Sequence, residues 1–390
     1  MKYYFPIAFL YSLFIFKGQE DTLLIKGFLK GQGDHPVSIS FTDDEGKQQS
    51  LKVESKNGRF IFHVKKQEQP VIVRLNSALN KGLSKSGNGN TVASPPAAFE
   101  FFVYQEDLQI KGDAGALPFS TAKGDRENNE LSAYRKSVRR QEERKAAIMK
   151  KVFFMDAARD SIEIKKLFAE SHVLVTRQWE LQKKFIRENP SSFTSVFLLS
   201  RMENLYTTAD YEAVYQGLTD EYKHTALAKK LEKRIDFLSP TAKGKPAIPF
   251  TRTDKDGREI RLADYRGKVV LLDFWGSWCA PCRASHPHLK QLYAQYKDKG
   301  FEIIAIASEK APTPEEQKRK WLAAIEKDGI NWVHILNNDG REKQDLIREY
   351  RITAFPTKIL LDQDGKILLR ITASATDDID KTLHQLLGNK

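Results

Sequence analysis

The sequence predicts a multidomain chain: an N-terminal antiparallel β-sandwich, a helical middle region and a C-terminal α/β domain with a mixed sheet. Three observations carry this expectation. Residues 21–112 hold short runs of β-branched and aromatic residues broken by turn signals. Residues 126–238 place apolar residues at helical spacing among charged ones. Beyond residue 248, strand-like and helix-like segments alternate. At 390 residues the chain has the length of two or three domains.

Residues 1–18 read as a signal peptide or an N-terminal anchor. Lys2 supplies the positive charge, and Tyr3 to Phe16 form the apolar run. This run is short of the roughly 20 residues a membrane span needs. A cut after Gly18 would leave bulky Phe16 at the −3 position, so an uncleaved anchor stays open. No cysteine follows the run, which excludes lipid attachment there. The expected location is the periplasm or cell envelope, membrane-anchored if the signal stays on.

In the β-rich domain, 21–112, the strand candidates are Leu23–Phe28, Val37–Phe41, Arg59–Val64, Val71–Leu75, Phe99–Val103 and Leu108–Ile110. Asp44-Glu45-Gly46 and Lys56-Asn57-Gly58 mark turns. Ser84 to Pro96, rich in Ser, Gly and Asn, reads as a mobile loop. In the helical region, 126–238, Leu131, Tyr134, Val138, Ile148 and Val152 share a face. Leu174, Leu181 and Phe185 mark a second helix that ends at Asn189-Pro190, and Ser191 offers the next N-cap. Ser239 to Pro246 reads as a linker (239–247). The last domain, 248–390, should hold a buried strand at 268–275, a helix from Cys279 to about Lys297 and a strand at 301–307. A helix at 314–327, a strand at 332–336, a helix near 344–350, a hairpin over 358–371 and a helix at 377–387 follow.

The net charge of +12 invites nucleic acid or anionic membrane as partners. The basic residues alternate with acids along the chain, as in Arg139 to Lys145, which fits a solvated helix face and no nucleic-acid partner.

Two cysteines occur, Cys279 and Cys282, in Trp278-Cys279-Ala280-Pro281-Cys282. One helical turn brings such Cα atoms to roughly 5–6 Å, within disulfide reach. A pair three apart supplies both an attacking thiolate and a resolving thiol. Cys279 at a helix N-terminus would have its thiolate favoured by free N–H groups and the helix dipole. An inert staple is the bland alternative, but so small a loop stabilises little. Asp273 sits in a strand of Val, Leu, Phe and Trp, where a carboxylate is costly to ionise.

The segment Val270 to Arg283, with Trp275-Gly276-Ser277-Trp278 before the cysteines, resembles the active-site strand and helix of TlpA/ResA-like thiol–disulfide oxidoreductases of the thioredoxin superfamily. Phe355-Pro356-Thr357 resembles their cis-proline loop, and Pro287 their helix proline. The resemblance spans about residues 245–390. The parts before it look like the β-rich and helical extension common on such proteins in Bacteroidetes-type bacteria. It implies a thioredoxin fold, a Cys279 nucleophile, a resolving Cys282 and an Asp273 that shuttles the Cys282 proton. It also implies a client-binding wall of Trp275, Trp278, Phe355 and a cis Pro356. The family often carries Glu three residues after the second cysteine, where this chain has Ser285.

The expected function is an exported reductase of envelope-protein disulfides, apocytochrome c among them, fed by a membrane thiol relay. No cofactor is implied, and the β-rich and helical parts are expected to recognise clients or mediate homodimerisation. The alternative is a Cu(I) metallochaperone using both cysteines with His286 or His288. Both histidines are expected on the exposed face of their helix. The lack of Thr in Gly276-Ser277-Trp278 speaks against a thiol peroxidase.

Overall fold

The computed structural model describes residues 21–87, 90–156, 159–202, 208–372 and 378–388; the expected signal segment lies outside them. Contact density divides the chain into two compact units between Leu181 and Gln182.

The first unit opens with β1 (Thr22–Lys30), β2 (Pro36–Thr42), β3 (Gln48–Glu54), β4 (Arg59–Lys65) and β5 (Val71–Ser77). It continues with β6 (Leu83–Gly87), β7 (Asn90–Ser94), β8 (Phe99–Val103), β9 (Leu108–Asp113) and β10 (Thr121–Lys123). Two four-stranded sheets, β10-β9-β1-β4 and β3-β2-β5-β8, enclose one apolar core that includes Ile25, Ile39, Phe62, Val73, Phe101 and Ile110. The alternating burial of β4 is the period-2 pattern of strands with one face on a core. The sandwich is not wholly antiparallel, because β1 pairs in parallel with β9. The segment expected as a mobile loop instead forms the β6–β7 hairpin. β3 escaped the sequence reading because it is a polar edge strand in which only Leu51 and Val53 pack on the core.

Helix α1 (Arg126–Phe154) is capped by Asp125, whose side chain accepts from the Asn128 N–H. The Asn128 amide bonds both the N–H and the C=O of Phe102, which fixes α1 to β8. Next come α2 (Ser161–Glu188), α3 (Phe193–Arg201), α4 (Thr208–Gln216) and α5 (Ala226–Leu238). The division between the units falls inside α2. The cap of α3 is Ser192, one residue beyond the expected Ser191.

The second unit then forms β11 (Thr251–Thr253), β12 (Glu259–Arg261), β13 (Val269–Trp275), α6 (Ala280–Tyr296), β14 (Phe301–Ala307) and α7 (Pro314–Asp328). It ends with β15 (Val333–Leu336), α8 (Leu346–Glu349), β16 (Thr357–Leu361), β17 (Ile367–Thr372) and α9 (Asp378–Leu387). The five-stranded sheet runs β15-β14-β13-β16-β17. It is mixed, since β13 is parallel to β14 and antiparallel to β16. All seven residues of central β13 are buried, as a strand covered on both faces requires. Val269, Leu271 and Trp275 pack with α6, α7 and α9 on one face, while Val270, Leu272 and Phe274 pack with Leu262, Leu346 and Tyr350 on the other.

The outer strands of this sheet carry further backbone. In residues 239–247, expected as a linker, Gly244 and Lys245 pair with the first residue of β17: Gly244 N–H donates to Ile367 O at 2.7 Å, and Ile367 N–H donates to Lys245 O at 2.9 Å. Buried Arg370 adds a bond to Thr241 Oγ1 at 3.0 Å. At the other side, Asp254 bridges to Ile335 and Lys255 N–H donates to His334 O at 3.0 Å.

Candidate active site

Strand β13 delivers Asp273 and Trp275 to one face and ends at Gly276-Ser277-Trp278, which leads directly into α6. Cys279 is the N-cap of α6, and its sulfur accepts the Cys282 N–H at 3.3 Å. Pro281 in the first turn has no N–H to satisfy, so it suits that position. Cys279 and Cys282 form a disulfide with Cα atoms 5.3 Å apart. Cys279 is 4% exposed and Cys282 1%, so the first cysteine is the more open of the two.

Three side chains make the rim. Trp278 is 40% exposed, and its indole N–H donates to Ser308 O at 2.9 Å. Its ring meets the edge of Phe355 at 5.5 Å, and Lys310 Nζ lies 3.3 Å from its centroid on one face. Such a cation over an indole is attractive. The Phe355–Pro356 bond is cis. Trp275, by contrast, is fully buried in the core beneath the disulfide. Its expected place in a client-binding wall is therefore corrected: no surface of it is open to a client, because period 2 turns it inward with Leu271.

Beneath the cysteines, Asp273 is 1% exposed and lies opposite Lys358 in the β13–β16 ladder. Lys358 Nζ is 3.3 Å from Asp273 Oδ1 and donates to Ser285 Oγ at 3.2 Å. Ser285 in turn donates to the Cys282 carbonyl at 2.7 Å. Ser285 thus joins the buried ion pair to the helix that carries Cys282, at the position where the resembling family often has an acid.

His286 is not a surface residue, as expected from the sequence, but 1% exposed; His288 is the exposed one and pairs with Asp380. The buried face of α6 is Cys282, His286, Leu289, Leu292 and Tyr296, a helical period that marks His286 as an inward residue. Its Nδ1 lies 2.8 Å from Asp328 Oδ2, and its ring meets Trp275 edge-on at 5.0 Å. Arg283 holds the Asp328 carboxyl below the usual carboxylate range through bonds at 2.9 and 2.5 Å. Burial lowers the pKa of His286, and it drives that of fully buried His334 down to about 3.

Glu309, Lys358 and the burial of His286 were not found by sequence reasoning. Glu309 follows β14 and accepts from both the N–H and the hydroxyl of Ser277, at 2.7 and 2.6 Å. It thereby braces the turn before Cys279. Among the described residues no group of three or more His, Cys, Asp or Glu side chains is arranged to hold a metal. No helix among them is long and apolar enough to cross a membrane.

The family model described as Redoxin matches residues 242–386. The thiol-disulfide oxidoreductase ResA of Bacillus thuringiensis subsp. konkukian is 34% identical over 140 residues, covering 35% of this chain and 72% of the relative. The chain belongs to the ResA-like thiol-disulfide oxidoreductases. The ResA protein of Geobacillus kaustophilus is 35% identical over 147 residues, covering 37% of this thiol-disulfide oxidoreductase and 78% of the relative. The thioredoxin domain of a thiol-disulfide oxidoreductase from Bacteroides vulgatus is 34% identical, covering 37% of this chain and 98% of that one, with a TM-score of 0.33. The thioredoxin-like part of this oxidoreductase is its C-terminal region, 242–386.

Proposed function

We propose that the protein is an exported reductase that opens disulfides in envelope proteins, the haem-binding cysteines of apocytochrome c among them, with electrons from a membrane thiol relay. The observation that carries this reading is the Cys279–Cys282 disulfide at the N-terminus of α6, beside Trp278, Phe355 and cis Pro356.

In the reduced protein the Cys279 thiolate, favoured by the helix N-terminus, attacks a client disulfide. One client thiolate leaves and a mixed disulfide forms. Cys282 then loses its proton to Asp273 and attacks Cys279, which releases the second client thiolate and restores the pair. Two electrons pass to the client. The exposed face of Trp278 and the backbone at Phe355 hold the client during the exchange, the latter by strand-like pairing. The apolar run near the N-terminus supports export.

The test is insulin reduction by dithiothreitol with the full chain as catalyst. Cys279→Ser is expected to reduce the catalysed rate to background, and Cys282→Ser to accumulate mixed disulfides. Full activity in Cys279→Ser would sink the mechanism.

A further inference from the structure

The charges around the cysteines differ in what they offer to a client. Asp273 pairs with Lys358, and Arg283 with Asp328, so each of these is balanced inside the fold. Glu309 is buried and turns inward, with both carboxylate oxygens taken up by Ser277. The next residue, Lys310, is exposed and forms no ion pair among the described residues. Its ammonium lies 3.3 Å from the ring centroid of Trp278, the residue that directly precedes Cys279.

That ring is itself held in place. Its N–H donates to Ser308 O, and it meets Phe355 edge-on. A lysine stem is flexible, but an indole face attracts the ammonium and gives the charge a preferred place. The acids Glu315, Asp339 and Glu342 line a hollow that includes neither Trp278, Phe355 nor Lys310. A client disulfide that lies over the exposed part of Trp278 to reach Cys279 therefore meets a positive charge with no acid paired to it.

We propose that Lys310 is a specificity-determining residue, and that the rim prefers client disulfides with a carboxylate beside the cysteine. The inference rests on the oxidoreductase mechanism above and names a class of client for it. The exchange itself is unaltered: Cys279 attacks, one client thiolate leaves, and no further reactant enters. Lys310 acts on the encounter. An exposed charge is felt over about 8 Å at physiological ionic strength. A charge at the rim of an interface acts chiefly on the association rate and its salt dependence. The same charge also favours the Cys279 thiolate, but that effect is common to every disulfide and leaves the preference among them untouched.

The experiment mixes reduced full-length protein by stopped flow with three disulfide-linked peptides of one length. The peptides lack tryptophan and carry Glu, Gln or Lys before the cysteine. Tryptophan fluorescence gives the second-order rate of attack by Cys279 at pH 7, at low and at high salt. The wild type should attack the Glu peptide fastest and the Lys peptide slowest, and salt should narrow the gap. Lys310→Gln should slow attack on the Glu peptide about threefold and quicken attack on the Lys peptide by a similar factor, as befits one exposed charge pair. The Gln peptide should fall between them. Lys310→Arg, which keeps the charge and stacks on an aromatic face, should restore the wild-type order. A substitution that merely shifted Trp278 would change all three rates by one factor. A common factor in Lys310→Gln, a charge order that survives Lys310→Gln, or equal wild-type rates for the three peptides overturns the proposal. Wild-type rates in Cys279→Ser would instead overturn the oxidoreductase mechanism.

Discussion

Asp273 can lie in the middle of an apolar strand because Lys358 faces it across the ladder. Direct cross-strand partners are the closest side chains in a sheet, and opposite charges there attract. Removing one member of a buried pair leaves an uncompensated charge. Lys358→Met should therefore destabilise the protein by about 3 kcal/mol in urea unfolding at pH 7. Adding Asp273→Asn should recover most of that loss. A double mutant no more stable than Lys358→Met would refute the pairing. Asp273 was legible in the sequence as one acid among hydrophobic residues. Its partner was not, because the two are 85 positions apart and meet only through strand register. His286 lay between these cases. The spacing from Cys282 through Leu289 to Tyr296 carried its burial, yet two histidines with one residue between them, followed by a charged surface, masked it.

Among the elements, the turn from β13 to α6 has the least room to vary. A Cβ at Gly276 would lie 2.5 Å from the indole nitrogen of Trp278 and 2.7 Å from Ser308 O. The second of these is backbone and cannot swing away, so Gly276 is what lets Trp278 fold back against β14. Gly276→Ala should displace the ring, red-shift its emission and slow insulin reduction by roughly tenfold, a loss in keeping with small misplacements near a reacting group. Emission and rate both matching wild type would refute the packing argument. The elements of the C-terminal domain from β13 onward were legible because strands buried on both faces and capped helices leave clear signatures, whereas β11 and β12, three residues each, were too short to leave one. Those of the sandwich were less so. β3 is a polar edge, and the hairpin of β6 and β7 has Ser and Gly where strands usually show β-branched residues.

At the scale of the whole molecule, buried imidazoles set a response to acid. His334 is fully buried with its pKa lowered from 6.5 to about 3 by desolvation. The unfolded chain takes a proton at that residue as pH falls through 6.5, while the native state refuses it until about pH 3. The contribution of His334 is therefore complete above pH 6.5 and declines below it, by about 1.4 kcal/mol per pH unit. His334→Phe should remove one such slope from unfolding free energies measured between pH 6.5 and 4. An unaltered slope would show that the ring titrates normally.

The backbone laid along both outer strands of the five-stranded sheet bears on how the protein behaves in a crowd. An open sheet flank is a template on which a second molecule can crystallise its own chain, and repetition of that step yields insoluble ladders. Here residues 244–247 pair with residues 365–367 at the start of β17, and Asp254 and Lys255 pair with Ile335 and His334 of β15. Each stretch so occupied is a stretch of sheet flank that a second molecule cannot pair with.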